Sequence, residues 1–268
     1  MLGDLPLSLW LKAVIVRSPL EGLARSARKL CDLPAAMRHP ELWEIRLEED
    51  RIQQVLKRLL KPDSNVIDVG CHIGSFISLV LKFSPRGRHI AVEASPSKAA
   101  WLTRQFPEAE VACCAAGDAN GEVLFEDNPA RPGYSKIVQA AGALPAYRVP
   151  MRRLDDIVTD GRHIDFLKLD VEGSELLCLR GAIELLNRSR PNILFECGSE
   201  YAIADYSRRQ LFDFLEGLNY QVFTLGDLLF DKSALGFDEF KKSGLYPFRA
   251  FNFIATPLSI PIKASASQ

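Results

Sequence analysis

Residues 65–93 read NVIDVGCHIGSFISLVLKFSPRGRHIAVE, and this stretch sets the architecture expected of the whole chain. Val66-Ile67-Asp68-Val69 is a short apolar run holding one acid. Gly70-Cys71-His72-Ile73-Gly74 follows as a glycine turn, residues 75–83 continue as an apolar helix-like segment, and residues 89–92 form a second strand that ends on Glu93. Strand, loop, helix and strand in that order open a nucleotide-binding α/β unit. Gly70 and Gly74 lack a Cβ, so the backbone can turn tightly and approach a ligand. An acid at the tip of the next strand, about twenty residues on, suits the two hydroxyls of an adenosine ribose. The dinucleotide fingerprint has a third glycine and seats a pyrophosphate at the helix start. The Gly-x-x-x-Gly spacing here, with Asp68 before it, suits a ligand without pyrophosphate, and S-adenosylmethionine is such a ligand.

The chain has 268 residues, of which 47% are hydrophobic, enough for one α/β domain with an appendage. A net charge of -1 provides no basic face for nucleic acid, so a nucleic-acid partner is not expected. Cys31, Cys71, Cys113, Cys114, Cys178 and Cys197 show no Cys-x-x-Cys spacing and mostly sit in apolar runs. They read as small buried hydrophobes in a reducing cytoplasm. The first twenty residues are apolar but carry Asp4, Pro6 and Lys12, too broken for a transmembrane span or a signal peptide. That segment is expected to pack on the domain, with shallow attachment to a membrane or a homodimer interface as alternatives.

The expected organisation is an N-terminal helical extension over 1–61, a main domain over 62–257 and a disordered tail over 258–268. Ser18-Pro19-Leu20-Glu21 reads as a capping box opening one helix. A second helix starts near Pro40, and its later half places Ile52, Val55, Leu56 and Leu59 on one face. After Glu93 the pattern predicts a helix over 97–105, a third parallel strand over 110–115, a turn over 117–121 and a strand over 122–125. Residues 128–146 read as a long loop, the kind that forms lids or binds substrate. Strands follow over 147–151, 164–170, 191–197, 220–224 and 251–255, with helices over 153–158, 176–186 and 210–217. Alternating strands and helices predict a doubly wound, mostly parallel sheet with its ligand site at the carboxyl ends of the strands. Gly70, Glu93, Ala115, Asp170 and Glu196 lie on that edge.

The blocks VIDVGCHIGSF, VEASPSKAAWL, AAGDANGEVLF, RLDDIV, IDFLKLDVEGSELLCLRGA and NILFEC, in that order, resemble the FkbM-type S-adenosylmethionine-dependent methyltransferases. The resemblance runs from about residue 65 to 197, and KLDVEGSE, residues 168–175, is its most specific block. It implies a class I methyltransferase fold, Rossmann-like, with seven strands of which the last is antiparallel. It also implies methyl transfer to a hydroxyl of a sugar, a polyketide or another natural product. Carried over to this sequence, Asp68, Gly70 and Gly74 form the methionine side of the cofactor pocket, with Cys71, Ser75, Ala94 and Ala115 as further cofactor-binding positions. Glu93 holds the ribose, and Asp170 lies near the cofactor amino group or the acceptor; Asp118, in the turn over 117–121, is a candidate adenine contact whose competing role is to cap the backbone. His72 departs from the small or amide-bearing residue common in that loop.

Removing a proton from an aliphatic alcohol calls for a positioned base, for which Asp170, Glu172, Lys168, His72 and Glu196 are candidates. Lys168 and Asp170 point to one face of their strand, so Lys168 orients the carboxylate, acts as a base itself, or only supports the turn. For Glu172 the competing role is to stabilise the start of the next helix. No metal motif is present and no metal residue is assigned; magnesium would have to use Asp170, Glu172 and Glu196. A nicotinamide-dependent oxidoreductase and a catalytically silent methyltransferase-like scaffold are the alternative readings.

Overall fold

The computed structural model describes residues 15–18, 21–126, 128, 135–138, 142, 144–198 and 207–258. Tyr134, the first fourteen residues, Pro19 and Leu20 of the expected capping box, and all but Leu258 of the expected tail lie outside them. The strands in chain order are β1 (Val66–Val69), β2 (His89–Glu93), β3 (Ala109–Cys113), β4 (Ala115–Ala116), β5 (Gly121–Glu126), β6 (Lys136–Val138), β7 (Ala146–Arg152), β8 (Phe166–Leu169), β9 (Asn192–Glu196), β10 (Tyr220–Thr224) and β11 (Asn252–Pro257). Seven of them form one sheet in the order β10-β11-β9-β8-β1-β2-β3. Its pairs are parallel except those of β11, which runs antiparallel to β9 and β10. This is the doubly wound class I methyltransferase sheet that the blocks imply.

The period-two alternation of the strands divides the core into two layers. On one face Ile67, Val69, Leu167, Leu169, Ile193 and Phe195 pack with the helices Glu175–Arg180, Ile183–Ser189 and Arg208–Gly217. On the other, Val66, Phe166 and Leu194 pack under the helices Glu48–Leu59 and Ser75–Phe83 through Val55, Leu56, Phe76, Ile77 and Val80. Asp68 and Lys168 share the parity of Val66 and Phe166, so both side chains enter this second layer, and they are direct register partners.

The N-terminal extension consists of the helix Glu21–Arg38, a 3-10 turn at Pro40–Leu42, the short helix Trp43–Arg46 and the helix Glu48–Leu59. The last has Glu48, Glu49 and Asp50 in its first turn and Lys57 and Arg58 in its last, matching its dipole. Arg58 fastens it to the segment after β10 by donating to the Leu228 carbonyl at 2.8 Å and pairing with Asp231. Among the described residues no helix is long and apolar enough to cross a membrane.

Several elements differ from the sequence expectation. The third strand ends at Cys113, and Ala115–Ala116 leaves it to join a second sheet of order β4-β7-β5-β6. Within 128–146, Lys136–Val138 forms a strand against β5, so that segment is not loop throughout. The helix expected over 176–186 is two helices interrupted at Gly181, where a Cβ would lie 1.9 Å from the Gly117 carbonyl oxygen. Helices Leu225–Leu229 and Phe237–Ser243 were not expected from the pattern.

Candidate active site

The site is built on three charges in a row. Asp68 is fully buried in β1, and its Oδ1 accepts from Lys168 Nζ at 3.2 Å. The same Nζ lies 3.3 Å from Asp170 Oδ2 and 5.3 Å from the centre of the Phe76 ring. Strand alternation brings Lys168 and Asp170 to one face, and the parallel pairing of β1 with β8 adds Asp68. Burial works against the Lys168 charge, but the carboxylates of Asp68 and Asp170 outweigh it and hold the ammonium well above its ordinary value. A lysine so held is not a free base; its ammonium can orient Asp170 and balance Asp68. Cys71 lies close by, its thiol kept neutral by burial first and the Asp68 charge second.

Asp170 shares the carboxyl edge with Glu196, the last residue of β9. Burial pushes the Glu196 carboxyl up to about 8, with help from the negative charges of Asp170 and Glu172. Both carboxyls open onto a cavity of about 750 Å³. Gly70, Cys71, His72, Ser75 and Lys168 line it from the sheet side. The opposite wall comes from the N-terminal extension through Ile15, Val16, Ala24, Glu49, Ile52 and Gln53, and Asn252 of β11 closes one end. Glu49, Gln53 and Asn252 carry no local signal of a site; they are read only once the extension is folded over the sheet.

Gly70, His72 and Gly74 all have positive φ, at 76°, 55° and 89°. A Cβ on Gly70 would lie 1.8 Å from the Asp170 carbonyl oxygen, and one on Gly74 2.2 Å from the Phe106 ring. The close approach that requires both glycines is therefore to the protein itself. The turn delivers the His72 N–H to Glu93 Oε2 at 2.8 Å, and Oε1 accepts from the Ser95 N–H at 2.9 Å. Burial raises the Glu93 carboxyl above the ordinary range, against the Lys98 charge and these two donors.

Asp68, Gly74, Glu93, Ala94, Ala115, Asp118 and Glu172 are not among the described residues lining the cavity. Ala94 and Ala115 meet beyond Glu93 in a small cluster with Phe125 and Val149, Asp118 is exposed in the following turn, and Glu172 has a φ of 52°. In the same turn Glu175 Oε1 accepts from the Gly173 N–H at 3.2 Å. Among the described residues no group of three His, Cys, Asp or Glu could hold a metal ion.

The sequence model of the methyltransferase FkbM domain matches residues 68–222, more than half of the chain. The chain belongs to the FkbM methyltransferase family. It is 25% identical over 181 residues to the 2-O-methyltransferase NoeI of Sinorhizobium fredii, covering 60% of this chain and 70% of that protein. It is 26% identical over 240 residues to the AMB antimetabolite synthetase AmbE of Pseudomonas aeruginosa, covering 68% of this chain but 11% of that one. A crystal structure of methyltransferase FkbM from Methylobacillus flagellatus aligns with 17% identity and a TM-score of 0.46, over 74% of this chain. This chain spans 44% of the length of that structure.

The donor set of this FkbM chain fits S-adenosylmethionine. Asp170 and Glu196 provide acceptors for a cationic ligand, and the loop around Cys71 leaves open space beside them.

Proposed function

We propose that this chain is an S-adenosylmethionine-dependent O-methyltransferase whose acceptor is a hydroxyl of a small molecule or glycan. The observation that carries the reading is the Asp170–Glu196 carboxyl pair, set over Lys168 and opening onto the cavity beside the glycine loop. Family membership supplies methyl transfer, and the 2-O-methyltransferase among the relatives supports oxygen as the atom methylated.

The cofactor supplies an electrophilic methyl carbon for an in-line displacement. The protein's part is to align the acceptor and manage its proton. In this reading Gly70, Cys71, Gly74 and Ser75 shape the methionine side with Asp68 behind them. Glu93, Ala94, Ala115 and Asp118 serve the adenosine side. Asp170 receives the acceptor hydroxyl, held in place by the Lys168 ammonium. His72 is fixed at the loop tip by its N–H to Glu93, its side chain among those lining the cavity. Glu172, next to Gly173, shapes the turn that presents Asp170.

Calorimetric titration with S-adenosylmethionine, S-adenosylhomocysteine and NAD tests the assignment, with Glu93→Ala as control. Micromolar binding of the first two, weakened at least tenfold in the variant, is expected. Labelled methyl transfer to hydroxylated acceptors, with and without magnesium, follows. A folded sample that binds neither compound, or binds NAD instead, overturns the reading.

A further inference from the structure

Asp170 and Glu196 stand side by side, one step beyond the Leu169–Phe195 register pair of two parallel strands, and both line one cavity, so two negative charges there repel and a single proton held between the two carboxyls relieves them. The charged groups around Glu196 are mostly of one sign. Asp170, Glu172 and Glu175 act on it from the turn after β8, and Glu49 lines the same cavity from the helix Glu48–Leu59. Lys168, the cation paired with Asp170, pairs with Asp68 as well. Asn252, opposite Glu196 in the β9–β11 register, donates its Nδ2 to Glu48 Oε2 at 2.9 Å and so turns its Oδ1 away from Glu48. The neighbourhood of Glu196 thus favours a proton in the empty protein and a positive charge in the loaded one.

We propose that Glu196 is a catalytic residue: the Asp170–Glu196 pair holds one proton in the free protein, releases it when a cationic ligand seats in the cavity, and takes the acceptor's proton during transfer. This rests on the cofactor reading above. The step balances in atoms and charge. The carbon–sulfur bond breaks as the carbon–oxygen bond forms, the hydroxyl proton passes to the carboxyl pair, and the sulfonium becomes a neutral thioether. The cavity loses one positive charge at the sulfur and gains one at the pair, so its net charge is unchanged across the reaction. A base created only when the methyl donor is present also leaves the empty site without a reactive carboxylate pair.

S-adenosylmethionine and S-adenosylhomocysteine differ by the sulfonium charge, which makes them the probes. Each is titrated calorimetrically into the whole chain in buffers of different ionisation enthalpy, near pH 7, and the slope gives the protons released. S-adenosylmethionine is expected to release more protons than S-adenosylhomocysteine, by about one. The excess should vanish in Glu196→Gln and in Asp170→Asn, and should shrink for the wild type well above pH 8, where the pair is already ionised. Equal release by the two ligands, or an excess that survives in either folded variant, overturns the proposal while leaving cofactor binding intact. Failure of both ligands to bind overturns the cofactor reading itself.

Discussion

Glu48 and Asn252 join the N-terminal extension to the last strand: Asn252 Nδ2 donates to Glu48 Oε2 at 2.9 Å, and Glu48 Oε1 accepts the main-chain N–H groups of Phe251 at 2.7 Å and Asn252 at 3.0 Å. Glu48 is 7% exposed, so these donors have little access to water. Through the pairing of Asn252 with Glu196, the contact ties the cavity's outer wall to its acids.

Glu48→Ala should therefore cost on the order of 3 kcal/mol, because three donors lose their acceptor in a buried seam. Glu48→Gln should recover part of that, since its carbonyl oxygen can accept but its amide faces a donor. Urea unfolding of the two variants checks the order. A surface-like change below about 0.5 kcal/mol in Glu48→Ala would show that the extension is not clamped there.

The two loop glycines should fail differently. Gly70→Ala places a Cβ against the Asp170 main chain, which cannot move without displacing a site residue, whereas Gly74→Ala meets the Phe106 side chain. Both also carry the cost of positive φ, roughly 1–2 kcal/mol. Phe106→Leu should relieve part of the Gly74→Ala loss and none of the Gly70→Ala loss. Double-mutant cycles of unfolding free energy read this directly.

Much of this was open to reading in the sequence because it is local. Asp68, the glycine turn and Glu93 fall in one strand-loop-strand unit, and alternation alone puts Lys168 and Asp170 on one face. What was missed depends on contacts distant in sequence. The run over 110–115 reads as one strand, yet the chain leaves the sheet after Cys113 because Ala115 and Ala116 pair with Met151 and Arg152. The break at Gly181 exists because the helix crosses the Gly117 carbonyl, which no helical pattern records. Glu196 was among the candidate bases, but its place beside Asp170 needs two strands side by side. Glu49, Gln53 and Asn252 became visible as cavity residues only when elements some 200 residues apart met.

Lys168→Met should be among the most damaging substitutions. It leaves the Asp68 carboxylate fully buried without its cation, a loss of about 3–5 kcal/mol for a broken buried pair. Asp68→Asn should cost less, since Lys168 keeps Asp170 at 3.3 Å. The double variant should be more stable than Lys168→Met alone, because the uncompensated charge is gone. Chemical denaturation of the three proteins decides it, and strict additivity would sink the argument.

The Glu196 carboxyl also predicts a pH dependence of stability. Its folded value of about 8 lies above the ordinary 4.5, so between these limits the folded protein holds a proton that the unfolded chain has lost. Unfolding free energy then falls as pH rises through that window, by at most about 1.4 kcal/mol per unit from this group. Below the window both states are protonated and the group contributes nothing; above it the folded state carries a constant penalty. Glu48 and Glu93 are raised in the same direction, so the wild-type slope alone does not isolate Glu196. Glu196→Gln removes this contribution and leaves theirs. The variant's advantage over the wild type should grow steadily from about pH 5 to about pH 8 and then level off. Thermal melts of both proteins across that range measure the difference, and parallel curves would mean that Glu196 titrates as an ordinary carboxyl.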